Sequence, residues 1–180
     1  MSNKILLLLR HAKSNRNIEV IDFERPLKKR GLRDAKTMGR WLSDQMLVPE
    51  LILSSPAERA ITTARKVCKA MNLETSLIKT DERIYNANPE LLKQILQTCP
   101  ETLHTLMLVG HNPAFEELLI DLADTPVEIP EDGKLLPTTA LAELRFTGIW
   151  AKISSHCAQL TQITRVKNLA DSSEPDIDTH

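Results

Sequence analysis

The chain has 180 residues, of which 42% are hydrophobic, 26% charged and only 3% aromatic. This is the mix of one soluble globular domain large enough for a full core. A net charge of −1 excludes a global electrostatic footprint for nucleic acid or an acidic membrane, and so few aromatics exclude base-stacking platforms.

Read in chain order, the first element is Ile5–Leu9, a continuous apolar run of the kind that forms a strand buried on both faces. It ends on Arg10 and His11. Residues 12–26 are polar and aperiodic and read as a loop. Apolar positions at helical spacing predict a helix over 28–46. Leu51–Leu53 reads as a second strand, followed by a helix from Pro56 to about Met71. A short strand is expected near Leu77–Lys79, a helix over 89–97, a strand at Leu106–Val109 and a helix over 113–123. Residues 124–137 form a Pro-rich, acidic loop. "TTALAELRF" and "AQLTQITRV" read as two more strands, the first near a sheet edge. The expected domain spans 1–166, and the acidic segment 167–180 is expected to be disordered.

No segment reaches the ~20 apolar residues of a membrane span, and Ile5–Leu9 is too short for a secretion signal. The three cysteines, Cys68, Cys99 and Cys157, are far apart and fit neither a zinc site nor a disulfide framework. The expected location is the cytoplasm.

Alternating strands and helices predict an α/β fold, a three-layer α/β/α sandwich with a largely parallel central sheet. Ligands in such sheets bind beyond the C-terminal strand ends. Three of those ends carry Arg10-His11, "SSPAER" with Arg59, and "GHNP" with His111. Ser55 and Glu58 have the spacing of a capping box, with Pro56 at the first helical position. Arg59 then falls in a helix's first turn, where a cation opposes the helix dipole and a bound anion would offset the conflict. Asn112 and Pro113 suggest a second cap beside His111. Two arginines and two histidines at one sheet edge point to a phosphate site, since the guanidinium fork binds two oxygens at once. A neutral imidazole in that setting is a nucleophile for phosphorus. No Asp/Glu/His cluster at metal spacing and no phosphate-binding Gly-rich loop are present in the sequence, so no metal or other cofactor is expected.

"LRHAKS", "LSSPAERA" and "LVGHNP", in that order, resemble the histidine phosphatase superfamily, also called phosphoglycerate mutase-like. The nearest likeness is to its SixA-type phosphohistidine phosphatases. "ERPLKKRG", "DERIYNA" and "LPTTALAEL" extend it to roughly residues 4–168. The resemblance implies His11 as nucleophile and phosphohistidine intermediate, with Arg10, Arg59 and His111 completing the phosphate pocket. It implies Glu82, or its neighbour Asp81, as proton donor, and Asn17 as a further phosphate contact. The superfamily's usual Arg-His-Gly is Arg10-His11-Ala12 here, and the long insertion that caps the pocket in sugar-phosphate mutases is missing. The implied partner is a phosphohistidine-bearing protein; the alternatives are a small phosphate ester or, third, a phosphate-binding module without turnover. Lys13, Arg16, Lys28, Lys29 and Arg30 read as a solvated basic face that could also rim the pocket.

Overall fold

The computed structural model describes residues 2–169. Six strands, β1 (Asn3–Arg10), β2 (Leu51–Ser54), β3 (Ile78–Thr80), β4 (Thr105–Gly110), β5 (Leu141–Thr147) and β6 (Gln159–Thr164), form one sheet in the order β3-β2-β4-β1-β5-β6. The first four in that order run parallel; β5 is antiparallel to β1, and β6 to β5. The sandwich is therefore α/β with a mostly parallel sheet. β5 stands one strand in from the edge, which β6 forms.

Four helices, α1 (Lys29–Asp44), α2 (Glu58–Ala70), α3 (Pro89–Gln97) and α4 (Ala114–Leu122), make the outer layers. Side chains of β1 alternate between the two. Leu7 and Leu9 join Met38, Leu42, Ala64 and Val67 under α1 and α2. Leu6 and Leu8 join Leu92, Ile95, Phe115 and Leu118 under α3 and α4. All four leucines are fully buried, which explains the absence of period-2 polarity in β1. Each contributes about 1.5–3 kcal/mol of transfer free energy, so the strand that ends at the site is firmly held.

Register brings the strand ends level. Arg10 pairs with Gly110, and Ser54 with Val109. Beyond the strands the ladder continues: His11 N–H donates to the Gly110 carbonyl and Ser55 N–H to that of Val109, both at 2.9 Å.

Two expected helix starts differ. α2 begins at Glu58, with Ala57 rather than Ser55 at its N-cap and no side-chain cap. Ser55 Oγ instead accepts from Ala57 N–H at 3.2 Å and bonds His111 at 2.8 Å, so no capping box forms. α4 likewise has no side-chain cap, because the Asn112 amide donates to the Leu136 carbonyl at 2.9 Å. Both side chains are drawn away from helix capping into the strand-end cluster.

After β6, a turn at Val166–Asn168 packs on the α1 side of the core through Val166 and Leu169. Packed chain thus extends into the first residues of the segment read as tail; residues 170–180 lie outside the described residues. No helix among the described residues is long and apolar enough to cross a membrane.

Candidate active site

Arg10 is the last residue of β1 and His11 the first beyond it. His11 Nδ1 lies 2.8 Å from the Ala12 carbonyl. A carbonyl only accepts, so Nδ1 carries the proton and Nε2 keeps its lone pair. The ring of His111 stands 5.3 Å from that of His11, centroid to centroid. His111 Nε2 is held by Ser55, while its Nδ1 is buried without a hydrogen-bond partner.

Burial sets the protonation state of both rings. His11 is 7% and His111 8% exposed. Desolvation, aided by the neighbouring cations, lowers His11 to about 3 and His111 to about 4. Both imidazoles are neutral at pH 7, as a nucleophile requires. For Arg10 too, burial is the main cause of a downward shift, opposed by Glu116 and reinforced by Arg16. Its guanidinium donates to the Leu136 carbonyl at 2.9 Å, leaving Nε buried and unpaired.

Arg59 lies in the first turn of α2 and is 6% exposed. Its two terminal nitrogens donate to the Asp22 backbone carbonyl at 2.6 Å and carboxylate at 2.9 Å. The anion foreseen at this helix start is thus supplied in part by the chain itself. Asp22 also accepts from Tyr85 Oη at 2.7 Å and pairs with Arg25 at 3.0 Å. The Tyr85 hydroxyl is the largest cause holding the Asp22 carboxyl below its ordinary value, followed among the lowering influences by Arg59 and Arg25. Tyr85 meets His111 edge-on at 5.7 Å and lies beside the Arg59 guanidinium. Arg59 Nε, like Arg10 Nε, is buried without a partner. Unmatched buried donors are costly, and a bound oxyanion would satisfy them.

Thr63 ties the two halves together. Its hydroxyl donates to the Arg59 carbonyl at 2.6 Å and accepts from Ala12 N–H at 2.9 Å. Ala12 is fully buried in the core beneath α1 and α2, so its methyl group is accommodated at the position where the superfamily usually has glycine.

The structure therefore brings Arg10, His11, Arg59 and His111 together. Among the described residues, no hydrogen bond or ion pair joins Glu82 or Asn17 to them. Glu82 is exposed in the turn Glu82–Ile84 after β3, whereas Asp81 is engaged by Arg83 through its backbone and guanidinium. Asn17 is exposed in the 12–26 loop, its N–H bonded to Asn15 Oδ1, and does not line the adjoining cleft. That cleft, of about 400 Å³, is lined by residues including Arg10, His11, Lys13, Arg16, Lys134 and Thr138. Among the described residues, no group of three or more His, Cys, Asp or Glu is placed to hold a metal ion.

Sequence reasoning missed Asp22, Tyr85 and Thr63. Tyr85 and Asp22 lie in segments adjoining or inside motifs already singled out, "DERIYNA" and "ERPLKKRG". Only the fold shows that they meet over Arg59.

This arrangement sits on a fold shared with phosphatases. The family model of the histidine phosphatase superfamily (branch 1) matches residues 6–87. The chain belongs to the histidine phosphatase superfamily. Among its relatives, the uncharacterised protein Rv1276c of Mycobacterium tuberculosis is 32% identical over 156 residues, spanning 84% of this chain and 96% of that one. Among solved structures, a SixA protein of Agrobacterium tumefaciens superposes with a TM-score of 0.72 at 28% identity, covering 90% of this chain and 97% of that one. The protein histidine phosphatase SixA complexed with tungstate superposes with a TM-score of 0.76 at 23% identity, covering 92% and 99%.

Proposed function

We propose that this protein is a metal-independent phosphatase that removes the phosphoryl group from phosphohistidine in a partner protein. The observation that carries the chemistry is the neutral His11 ring, its Nε2 lone pair free and its neighbours Arg10, Arg59 and His111 grouped around it. His11 Nε2 attacks phosphorus in line; the N–P bond to His11 forms as the bond to the leaving group breaks. Arg10, Arg59 and His111 hold the three non-bridging oxygens as charge builds on them. Water then attacks the phosphohistidine, releasing inorganic phosphate and restoring His11.

An imidazole leaving group needs little acid assistance. An alcohol leaving group would need a proton, and the likeness to the superfamily points to Glu82, or its neighbour Asp81, as its source. The partner-protein reading is supported by the lack of a capping insertion and by the likeness to SixA proteins, one of which carries the name protein histidine phosphatase and holds tungstate, a tetrahedral oxyanion.

The test is turnover of a phosphohistidine protein, a sugar phosphate and an aryl phosphate by wild type and His11→Ala. Wild type should turn over the phosphohistidine protein fastest and yield a labelled, acid-labile phosphoenzyme. His11→Ala should lose both signals, and EDTA should leave wild-type activity unchanged. Faster hydrolysis of the sugar phosphate would assign a small ester as substrate instead. Phosphate binding with no turnover would leave only a binding module.

A further inference from the structure

The cleft beside His11 extends past the phosphoryl pocket, and its wall is of one sign. Lys13, Arg16 and Lys134 line it together with Arg10, and no carboxylate does. This is a local feature of a chain whose charges nearly cancel, with 23 lysines and arginines against 24 aspartates and glutamates. No ion pair engages Lys13, Arg16 or Lys134 among the described residues. Glu116, whose charge acts on Arg10, is committed by Oε1 to Leu136 N–H at 2.8 Å, and Asp132, beside Lys134, is paired with Arg165 at 3.0 Å.

The cations are mounted on anchored backbone. Lys13 C=O accepts from Lys28 N–H at 2.8 Å, and Gly31 of α1 packs directly on the Lys13 backbone. The Lys134 carbonyl accepts from Arg165, and its N–H donates to Asp132, which Arg165 also grips at 3.0 Å. Two residues on, Leu136 is clamped by Arg10 itself. Lys28, Lys29 and Arg30, grouped with Lys13 and Arg16 by sequence, do not line the cleft. Lys134, distant in sequence, does.

We propose that Lys13, Arg16 and Lys134 form a subsite for a second anionic group of the substrate, a carboxylate or a further phosphate, next to the phosphoryl held at His11. The assignment rests on the phosphatase reading for the place of the phosphoryl. A single phosphoryl group is already matched by Arg10, Arg59 and His111. Three further cations with no protein anion opposite them match a substrate that brings its own, either an acidic side chain flanking the phosphorylated residue or the second acid group of a small molecule.

Calorimetry on the full chain tests it without turnover. The probes are methylphosphonate, phosphonoacetate and methylenediphosphonate in 0.15 M salt. Wild type should bind the two-anion probes about ten-fold or more tighter than methylphosphonate, a difference that steady local contacts can sustain at this ionic strength. Arg16→Gln/Lys134→Gln should bring all three within about two-fold of one another and leave methylphosphonate within about two-fold of wild type. Lys29→Gln/Arg30→Gln removes the same charge outside the cleft and should keep the preference. Absence of a wild-type preference, equal loss with the Lys29/Arg30 pair, or a parallel fall in methylphosphonate binding would each overturn the subsite. Turnover of phosphohistidine peptides flanked by Asp or by Asn identifies the source. Faster turnover with Asp, lost in Arg16→Gln/Lys134→Gln, assigns the anion to a protein; equal turnover with the probe preference intact assigns it to a small molecule. A wild type that keeps the probe preference but forms no phosphoenzyme would sink the phosphatase reading and leave the subsite standing.

Discussion

Arg59 is held by Asp22 before any ligand arrives. The carboxylate and the backbone carbonyl of Asp22 engage both terminal nitrogens, and Tyr85 and Arg25 hold the carboxylate in turn. Two effects oppose each other. The negative charge repels an incoming phosphate; the geometry fixes the fork that must receive it. The Asp22 side chain is 49% exposed, so its repulsion is screened by water, whereas the orientation of a nearly buried guanidinium is not. Positioning should therefore win. Asp22→Ala is expected to lower kcat about ten-fold with KM little changed, since misplacing one charge-stabilising group costs transition-state contacts before ground-state ones. Asp22→Asn should recover part of the loss, because its amide oxygen still accepts from Arg59. Steady-state kinetics decide, and a tighter KM with kcat intact would show Asp22 to be a repelling charge only.

At the scale of elements, the site depends on how closely the first turn of α1 sits on the loop after His11. A β-carbon at Gly31 would stand 2.3 Å from the Lys13 carbonyl oxygen, and backbone there cannot yield as a flexible side-chain end would. Gly31→Ala should cost about 1–3 kcal/mol of stability, the usual range for overpacking, and should weaken phosphate binding because Lys13 lies two residues beyond His11. Urea unfolding midpoints and phosphate titration check both. Elements themselves were readable in the sequence where one physical signal dominated. The unbroken apolar run of β1 and the period of α1 needed only burial. Helix starts were less readable, because Ser55 and Asn112 have two competing uses: the capping pattern is local, while their partners His111 and Leu136 arrive from other strands and loops. The four residues at the strand ends were legible because parallel strands put their C-terminal ends together. Asp22, Tyr85 and Thr63 were not, since their roles are tertiary contacts and the 12–26 loop has no period to place it.

For the whole molecule, the buried histidine pair links the site to the stability of the fold. An unfolded histidine takes up its proton near pH 6.5, but in the fold His11 does so at about 3 and His111 at about 4. Between those values the unfolded chain binds more protons than the native one, so stability rises with pH across the window and falls as acid is added. Each histidine contributes up to about 1.4 kcal/mol per pH unit while the difference lasts. Asp22 acts in the same direction at lower pH, because its carboxyl is held below its ordinary value in the fold and must be protonated as that contact is lost. The urea midpoint should therefore drop steeply between pH 6.5 and 4.5. His11→Gln/His111→Gln should flatten that slope, whatever its stability at pH 7, because both proton acceptors are gone. Inorganic phosphate should flatten it in wild type too: an anion beside the rings favours their charged forms and raises both native pKa values toward the unfolded one. A wild-type slope unchanged in the double variant would show that acid unfolding is governed by carboxylates elsewhere, and that the two rings carry their protons in the native state near pH 6.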